Sequence, residues 1–295
     1  MTNRTSFTAA GRPAAVNEVR FATYTLQYPQ SGWVRVEGMG RHWSQAEVRA
    51  RQVQAGGLEV TTSNVTQVSF DLHPLGRVAI DGQVLSGEAG GTFHREGDRW
   101  FNGPLAGGLR KQPGLTGPLD DAFMSSFLFV RPTGHSSSPA VDRWVQSELT
   151  RAISVWRQVF RGDVPIKDDH DVTADDIAHN NLILWGDSTS NSLIAKTAGS
   201  LPVRWEGAEL TVGSRHFPAD HSAAIFIYPN PLNPRHYIAL NSGIDFRSEA
   251  YGTNALQTPK LPDWTVVDLS TPPGPRWPGR IAAGGFFDER WRLMP

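Results

Sequence analysis

From Asn17 to about Pro118 apolar side chains return at every second position, the spacing of a strand with one buried face. In "AEVRARQV", Ala46, Val48 and Ala50 share one side while charged or polar residues stand between them. "VRFATYTLQY" (Val19 to Tyr28) is dense in β-branched and aromatic residues, and "LEVTTSN", "VTQVSFDL" and "RVAIDGQVL" continue the series. The last holds Asp81-Gly82 between two apolar runs, a dipeptide suited to the positive φ of a tight hairpin turn. "GTFHREGDRWF" repeats the device around Glu96-Gly97-Asp98. No helical spacing interrupts these runs, so residues 1–116 are expected to form an antiparallel β-sandwich.

After the Gly/Pro-rich "GGLRKQPGLTGP" the period changes, which marks a domain boundary. "FLFVRP" (Phe127 to Pro132) reads as a buried strand. Ser138-Pro139 then offers an N-cap with proline at the first helical position. Val141, Trp144, Val145, Leu149, Ala152, Ile153, Trp156, Val159 and Phe160 draw one apolar stripe behind it. Gly162, just after Arg161, stands where a left-handed residue would end this helix. "NLILW" is the next strand, followed by a short helical segment from about Ser190 to Ala198 and by strands "AAIFIYP", "HYIALNS" and "WTVVDL". The predicted fold is therefore mixed, with the sandwich followed over 117–295 by an α/β domain of Rossmann-like, three-layer form.

Composition narrows the function classes. The 295 residues suffice for two ordinary domains, and ten Trp and fourteen Phe supply apolar mass for their cores. Lys and Arg number 28 against 29 Asp and Glu, so no net field draws the chain to nucleic acid or an anionic membrane. With no cysteine there is no disulfide, thiolate nucleophile or thiolate metal site. No run approaches the roughly 18 apolar residues of a membrane span, and "MTNRTSFTAAGRPAAVNEV" lacks the apolar centre of a signal peptide. The chain as written is expected to be soluble and unexported.

The candidate chemistry centres on "NLILWGDSTSN", Asn181 to Asn191, where an apolar strand ends in Gly-Asp-Ser at a strand-to-helix junction. Backbone N–H groups converge at such junctions and can stabilise an oxyanion, which makes Ser188 a candidate nucleophile. A serine needs a base, and the one Asp-x-x-His, Asp176 to His179, precedes Ser188 across the same strand, about 15 Å away at ordinary strand rise. Gly-Asp-Ser esterases carry their Asp-x-x-His after the serine, near the end of the catalytic domain. Ser188 is therefore expected to sit in a helix-capping turn. In "KDDHDVTADDIAHNN", Asp169, Asp171, Thr173 and Asp175 alternate like calcium-loop donors, yet Ala174 stands where such a loop needs Gly and Asn180 where it needs Glu. A capping box from Thr173 to Asp176 is expected instead, with no metal and no cofactor. His42, His73 and His94 lack metal-ligand spacing. Gly-x-Ser-x-Gly, phosphate-loop and dinucleotide fingerprints are absent. The polar groups left to meet a peptide or glycan are Asp187, Ser190 and Asn191 at the turn, and Asn230 and Asn241 in "IYPNPLNPRHYIALNSG".

The succession "GPLDDAFMSSFLFVRPTG", "WRQVFRGDVPIKDDHDVTADDIAHNNLILWGDSTSN", "IYPNPLNPRHYIALNSG", "QTPKLPDW" and "AAGGFFDERW" resembles the carboxyl-terminal region of bacterial prolyl oligopeptidase family serine peptidases, proteins of α/β-hydrolase fold. "VRFATYTLQY", "WVRVEGMGRHWSQAEVRA" and "VTTSNV" resemble the β segment before it, so the likeness runs from about Val19 to Trp291. It implies a non-catalytic accessory region that shapes substrate access or docks onto a catalytic α/β-hydrolase module, the nucleophile lying in an amino-terminal module without counterpart here. A longer parent could carry an export signal. Where the family turn reads Gly-Asp-Pro this chain has Gly-Asp-Ser, and a proline there attacks nothing. Two alternatives stand beside this reading: an autonomous Gly-Asp-Ser-type serine esterase using Ser188, and a carbohydrate- or peptide-binding module.

Overall fold

A computed structural model describes residues 16–87, 90–244 and 262–294. The start of the chain read for a signal peptide, and Gln257 to Leu261 of "QTPKLPDW", lie outside the described residues. Two compact units emerge, one running through Gly108 with Gln112–Gly114, the other made of Leu109–Lys111 and the chain from Leu115 onward.

The first unit holds two five-stranded sheets. One contains β1 (Glu18–Thr23), with β4 (Ala46–Val53), β5 (Gly57–Ser63), β7 (Arg77–Ile80) and β8 (Gln83–Ser86), in the order β1-β4-β5-β7-β8. The other contains β2 (Gln30–Ser31), β3 (Val34–Met39), β6 (Val65–Phe70), β9 (Thr92–Glu96) and β10 (Arg99–Asn102), in the order β10-β9-β6-β3-β2. Pairing is antiparallel except between β5 and β7, which run parallel. Ala46, Val48 and Ala50 join Val36, Val60, Val68, Ile80, Phe93 and Trp100 in one buried cluster. Asp81 and Gly82 close the β7–β8 turn with positive φ, and the Asp81 carboxylate accepts bonds from the Thr62 amide (2.7 Å) and Trp100 Nε1 (3.0 Å). One turn residue thereby ties β5 and β10 to the hairpin.

In the second unit the Rossmann-like three-layer expectation is overturned. The protein is mostly β, with 42% strand against 18% helix, which is too little helix to cover both faces of a parallel sheet. Its main sheet has seven strands: β11 (Phe127–Arg131), β12 (Ile166–Asp168), β13 (Asn181–Leu184), β17 (Ser222–Asn230), β18 (Asn233–Leu240), β19 (Trp264–Asp268) and β20 (Arg280–Gly285). The order is β12-β11-β13-β18-β17-β19-β20; the first four strands run parallel and β17, β19 and β20 are joined by antiparallel pairings. Three helices accompany it among the described residues: α1 (Pro139–Phe160), α2 (Ala174–His179) and α3 (Ser192–Thr197), the last two only six residues long.

The cause lies between α3 and β17, where a Rossmann-like fold would continue with helix. That segment instead forms a three-stranded meander, β14 (Val203–Glu206), β15 (Glu209–Val212) and β16 (Arg215–Pro218), around two-residue turns at Gly207-Ala208 and Gly213-Ser214. Helix α1 follows its apolar stripe over its first four turns, burying Val141, Trp144, Val145, Leu149 and Ala152, with Ser138 accepting the Val141 amide as N-cap; Val159 and Phe160, expected on the same stripe, are exposed at its end. It ends one residue earlier than expected: Arg161 itself takes the left-handed conformation, φ 58°.

Candidate functional site

The C-terminal ends of the parallel strands β11, β13 and β18 bring three segments together: Pro132–Ser138, Gly186–Asn191 and Asn241–Ser242. Asn241, itself at φ 53°, binds Gly186 in both directions, its Oδ1 accepting the Gly186 amide (2.7 Å) and its Nδ2 donating to the Gly186 carbonyl (2.8 Å). The same Nδ2 donates to the Ala224 carbonyl at 3.0 Å. The carboxamide thereby carries the β13–β18 pairing one residue beyond the strand ends. Gly186 has φ 111°, and a Cβ there would stand 2.4 Å from Ser190 Oγ, so only glycine lets the strand turn this tightly.

Asp187 is the centre of the turn. It is 7% exposed. Its Oδ1 accepts from the Thr189 amide (3.0 Å), Thr189 Oγ1 (2.8 Å), the Ser190 amide (3.0 Å) and Ser190 Oγ (2.9 Å), while Ser136 Oγ donates to Oδ2. Burial pushes this carboxyl up, but the bonds from Ser136, Thr189 and Ser190 outweigh it and hold the group below its usual value. An ionised carboxylate at neutral pH therefore locks the turn to the loop after β11. The Gly134 amide donates to the Ser190 carbonyl (3.0 Å) and the Ser137 amide to Thr189 Oγ1 (3.1 Å), completing the lock.

Asn191, rather than Ser188, caps helix α3, accepting the amides of Leu193 (3.0 Å) and Ile194 (3.3 Å). Ser188 is partly exposed, and among the described residues no hydrogen bond links its hydroxyl to a histidine. The Asp176 to His179 pair is committed elsewhere: Asp176 closes the capping box with Thr173, and His179 Nδ1 faces the Asp175 carbonyl at 3.0 Å.

Two side chains beside the turn escape the sequence reading. His135 Nδ1 lies 2.9 Å from Asp142 Oδ2, and Asp142 Oδ1 accepts the Ser136 amide at 2.7 Å. An imidazole oriented by a carboxylate thus stands in the loop beside Gly-Asp-Ser, although its side chain is 91% exposed. The available signal was the position of "PTGHSSSP" directly after a strand parallel to and beside β13.

The five candidate ligand-binding residues divide into two places. Asp187, Ser190, Asn191 and Asn241 meet at the strand ends, whereas Asn230 ends β17 just before its turn into β18, about 26 Å away along β18 at ordinary rise. All five are between 0% and 7% exposed, so each is an internal fastener rather than part of a surface groove. Asn230 Oδ1 accepts the Leu232 amide at 2.9 Å.

In the acidic run, Asp169 is also internal, bonded by Thr133 Oγ1 (2.7 Å) and the Ser192 amide (2.6 Å). One atom each from Asp168, His170 and Asp171 lies within 4.8 Å of the others, but Asp168 is already paired with Arg131 at 2.5 Å. Lys167 Nζ, 2.7 Å away, and the Thr173 amide hold the Asp176 carboxyl down to about 2, against an ordinary 3.8. The folded value lies below the unfolded one, so this contribution is complete above roughly pH 4 and is lost as pH falls toward 2. Asp176→Asn is expected to lower urea stability more at pH 6 than at pH 2; equal losses at both would contradict the assignment.

No protein-family model, curated protein or solved structure matches this chain. No helix among the described residues is long and apolar enough to cross a membrane.

Proposed function

We propose that this chain is a non-catalytic accessory region of a peptidase- or esterase-type serine hydrolase, shaping substrate access or docking to a catalytic α/β-hydrolase module. The observation that carries this reading is the commitment of Asp187: its carboxylate is saturated by Ser136, Thr189 and Ser190, so the Gly-Asp-Ser turn is built as a fastener between two loops. A hydrolase turn would instead spend its polar groups on the nucleophile and the oxyanion. The resemblance to the carboxyl-terminal region of prolyl oligopeptidase family proteins supplies the class of partner.

The purified chain is expected to hydrolyse p-nitrophenyl butyrate at the buffer rate. Mixed with a prolyl oligopeptidase family catalytic module, it is expected to co-elute and to shift KM for a proline-containing peptide. Failure of both in the mixture contradicts the accessory role.

An autonomous serine esterase is the second reading, favoured by the His135–Asp142 pair at the same strand ends. Its signature is ester hydrolysis above buffer that both Ser188→Ala and His135→Ala abolish.

A further inference from the structure

Away from the Gly-Asp-Ser turn, the second unit holds a buried amine against a buried carboxylate. Lys111 Nζ lies 2.7 Å from Asp263 Oδ2, and each side chain is 1% exposed. Both partners are fixed through their backbones. The Lys111 amide donates to the Glu289 carbonyl at 2.9 Å, and the Lys111 ammonium stands 5.1 Å from the centroid of the Trp291 ring. The Asp263 amide donates to the Gly285 carbonyl (3.0 Å), and the Asp263 carbonyl accepts the Ile227 amide (2.9 Å). The Phe287 amide donates to Asp263 Oδ2 at 2.9 Å, the same oxygen that meets the ammonium.

Such a contact contains the two reactants of an amide bond. Where burial makes charge costly, a proton can pass from the ammonium to the carboxylate, which leaves a neutral amine beside a carboxylic acid. Fixing the two groups turns a collision between molecules into a step within one fold, for which effective concentrations reach about 10⁵ M and above.

We propose that Lys111 and Asp263 condense to an intramolecular isopeptide bond. The amine attacks Cγ, the carbon–nitrogen bond forms, and negative charge gathers on Oδ2, where the Phe287 amide donates. The bond from Cγ to Oδ1 then breaks, and that oxygen leaves as water. Of the three ammonium protons, two depart with the water and one stays on the amide nitrogen, so no oxidant, reductant or other co-reactant enters. The newly folded chain holds the ion pair, and the amide accumulates on standing. It joins residues 152 apart and constrains the unfolded chain as a disulfide does, in a sequence that has no cysteine. The pair shares no residue with the Gly-Asp-Ser turn, and its condensation does not depend on the hydrolase reading.

The test is intact-mass spectrometry of the whole chain, sampled from refolding through several days under native conditions, with tryptic mapping of the end point. The mass is expected to end one water molecule below that of the sequence. Trypsin should stop cutting after Lys111, and a branched peptide should carry Lys111 joined to Asp263. Lys111→Arg, which keeps a cation at the pair but has no primary amine, and Asp263→Ala should both keep their full sequence mass. Should either variant fail to fold, the wild-type time course decides together with wild-type chain held in urea, which should form no branched peptide. An unchanged mass, with Lys111 and Asp263 recovered in separate linear peptides, overturns the proposal. Loss of water that maps instead to a succinimide at Asp81-Gly82 equally overturns it.

Discussion

Lys111→Ala is expected to destabilise the second unit by roughly 3–5 kcal/mol, the usual cost of leaving one member of a buried ion pair alone. Lys111 Nζ lies 2.7 Å from Asp263 Oδ2, and both side chains are 1% exposed. The ammonium also stands 5.1 Å from the Trp291 ring centroid, and the Phe287 amide donates to the same Asp263 oxygen at 2.9 Å. The carboxylate would lose its cation while keeping the Phe287 amide. For a unit of this size the melting midpoint should fall on the order of 10 °C. Replacing both partners, Lys111→Met with Asp263→Asn, should recover much of the loss because no uncompensated charge remains. A double variant no more stable than Lys111→Ala would show that the pair is not the source of the stability.

Asp187→Ala is the second large effect, expected at about 3–4 kcal/mol. Deletion leaves the hydroxyls of Ser136, Thr189 and Ser190 and two backbone amides without their acceptor in a buried turn. Because the folded carboxyl titrates below its ordinary value, its contribution is full above that value and disappears as the solution is acidified through the folded one. The gap between the wild-type and alanine proteins should therefore narrow at strongly acidic pH, by the part of the contribution that depends on the charge. Ser188→Ala, at a partly exposed hydroxyl outside this bonding, should change stability by no more than about 0.5 kcal/mol. Guanidinium titrations of the three proteins measure both effects. A loss at Ser188 as large as that at Asp187 would contradict the fastener account.

Local features were readable from the chain because their signals are local. The alternation of Ala46, Val48 and Ala50, the Asp81-Gly82 turn, the apolar stripe of α1 and the Thr173 to Asp176 capping box each depend on neighbours a few residues away. The three-layer α/β expectation failed because Val203–Pro218, to which the sequence reading assigned no element, forms a meander with turns at Gly207 and Gly213, leaving too little helix to cover both sheet faces. The fastening of the Gly-Asp-Ser turn depends on pairs distant in sequence: Ser136 lies 51 residues from Asp187, and Asn241 lies 55 from Gly186. Lys111 and Asp263 are 152 apart, beyond the reach of any spacing rule. Grouping Asn230 with Asn241 failed for a related reason, since a strand of eight residues carries its two ends to opposite sides of a sheet.

Ser188 sits beside a structural carboxylate, and among the described residues no hydrogen bond joins its hydroxyl to a histidine. Incubation of the native chain with a fluorophosphonate, followed by peptide mass mapping of Asn181 to Lys196, tests this directly. The account predicts no adduct at Ser188 beyond that acquired by the denatured chain. A stoichiometric adduct at Ser188 in the native protein, lost in His135→Ala, would contradict it.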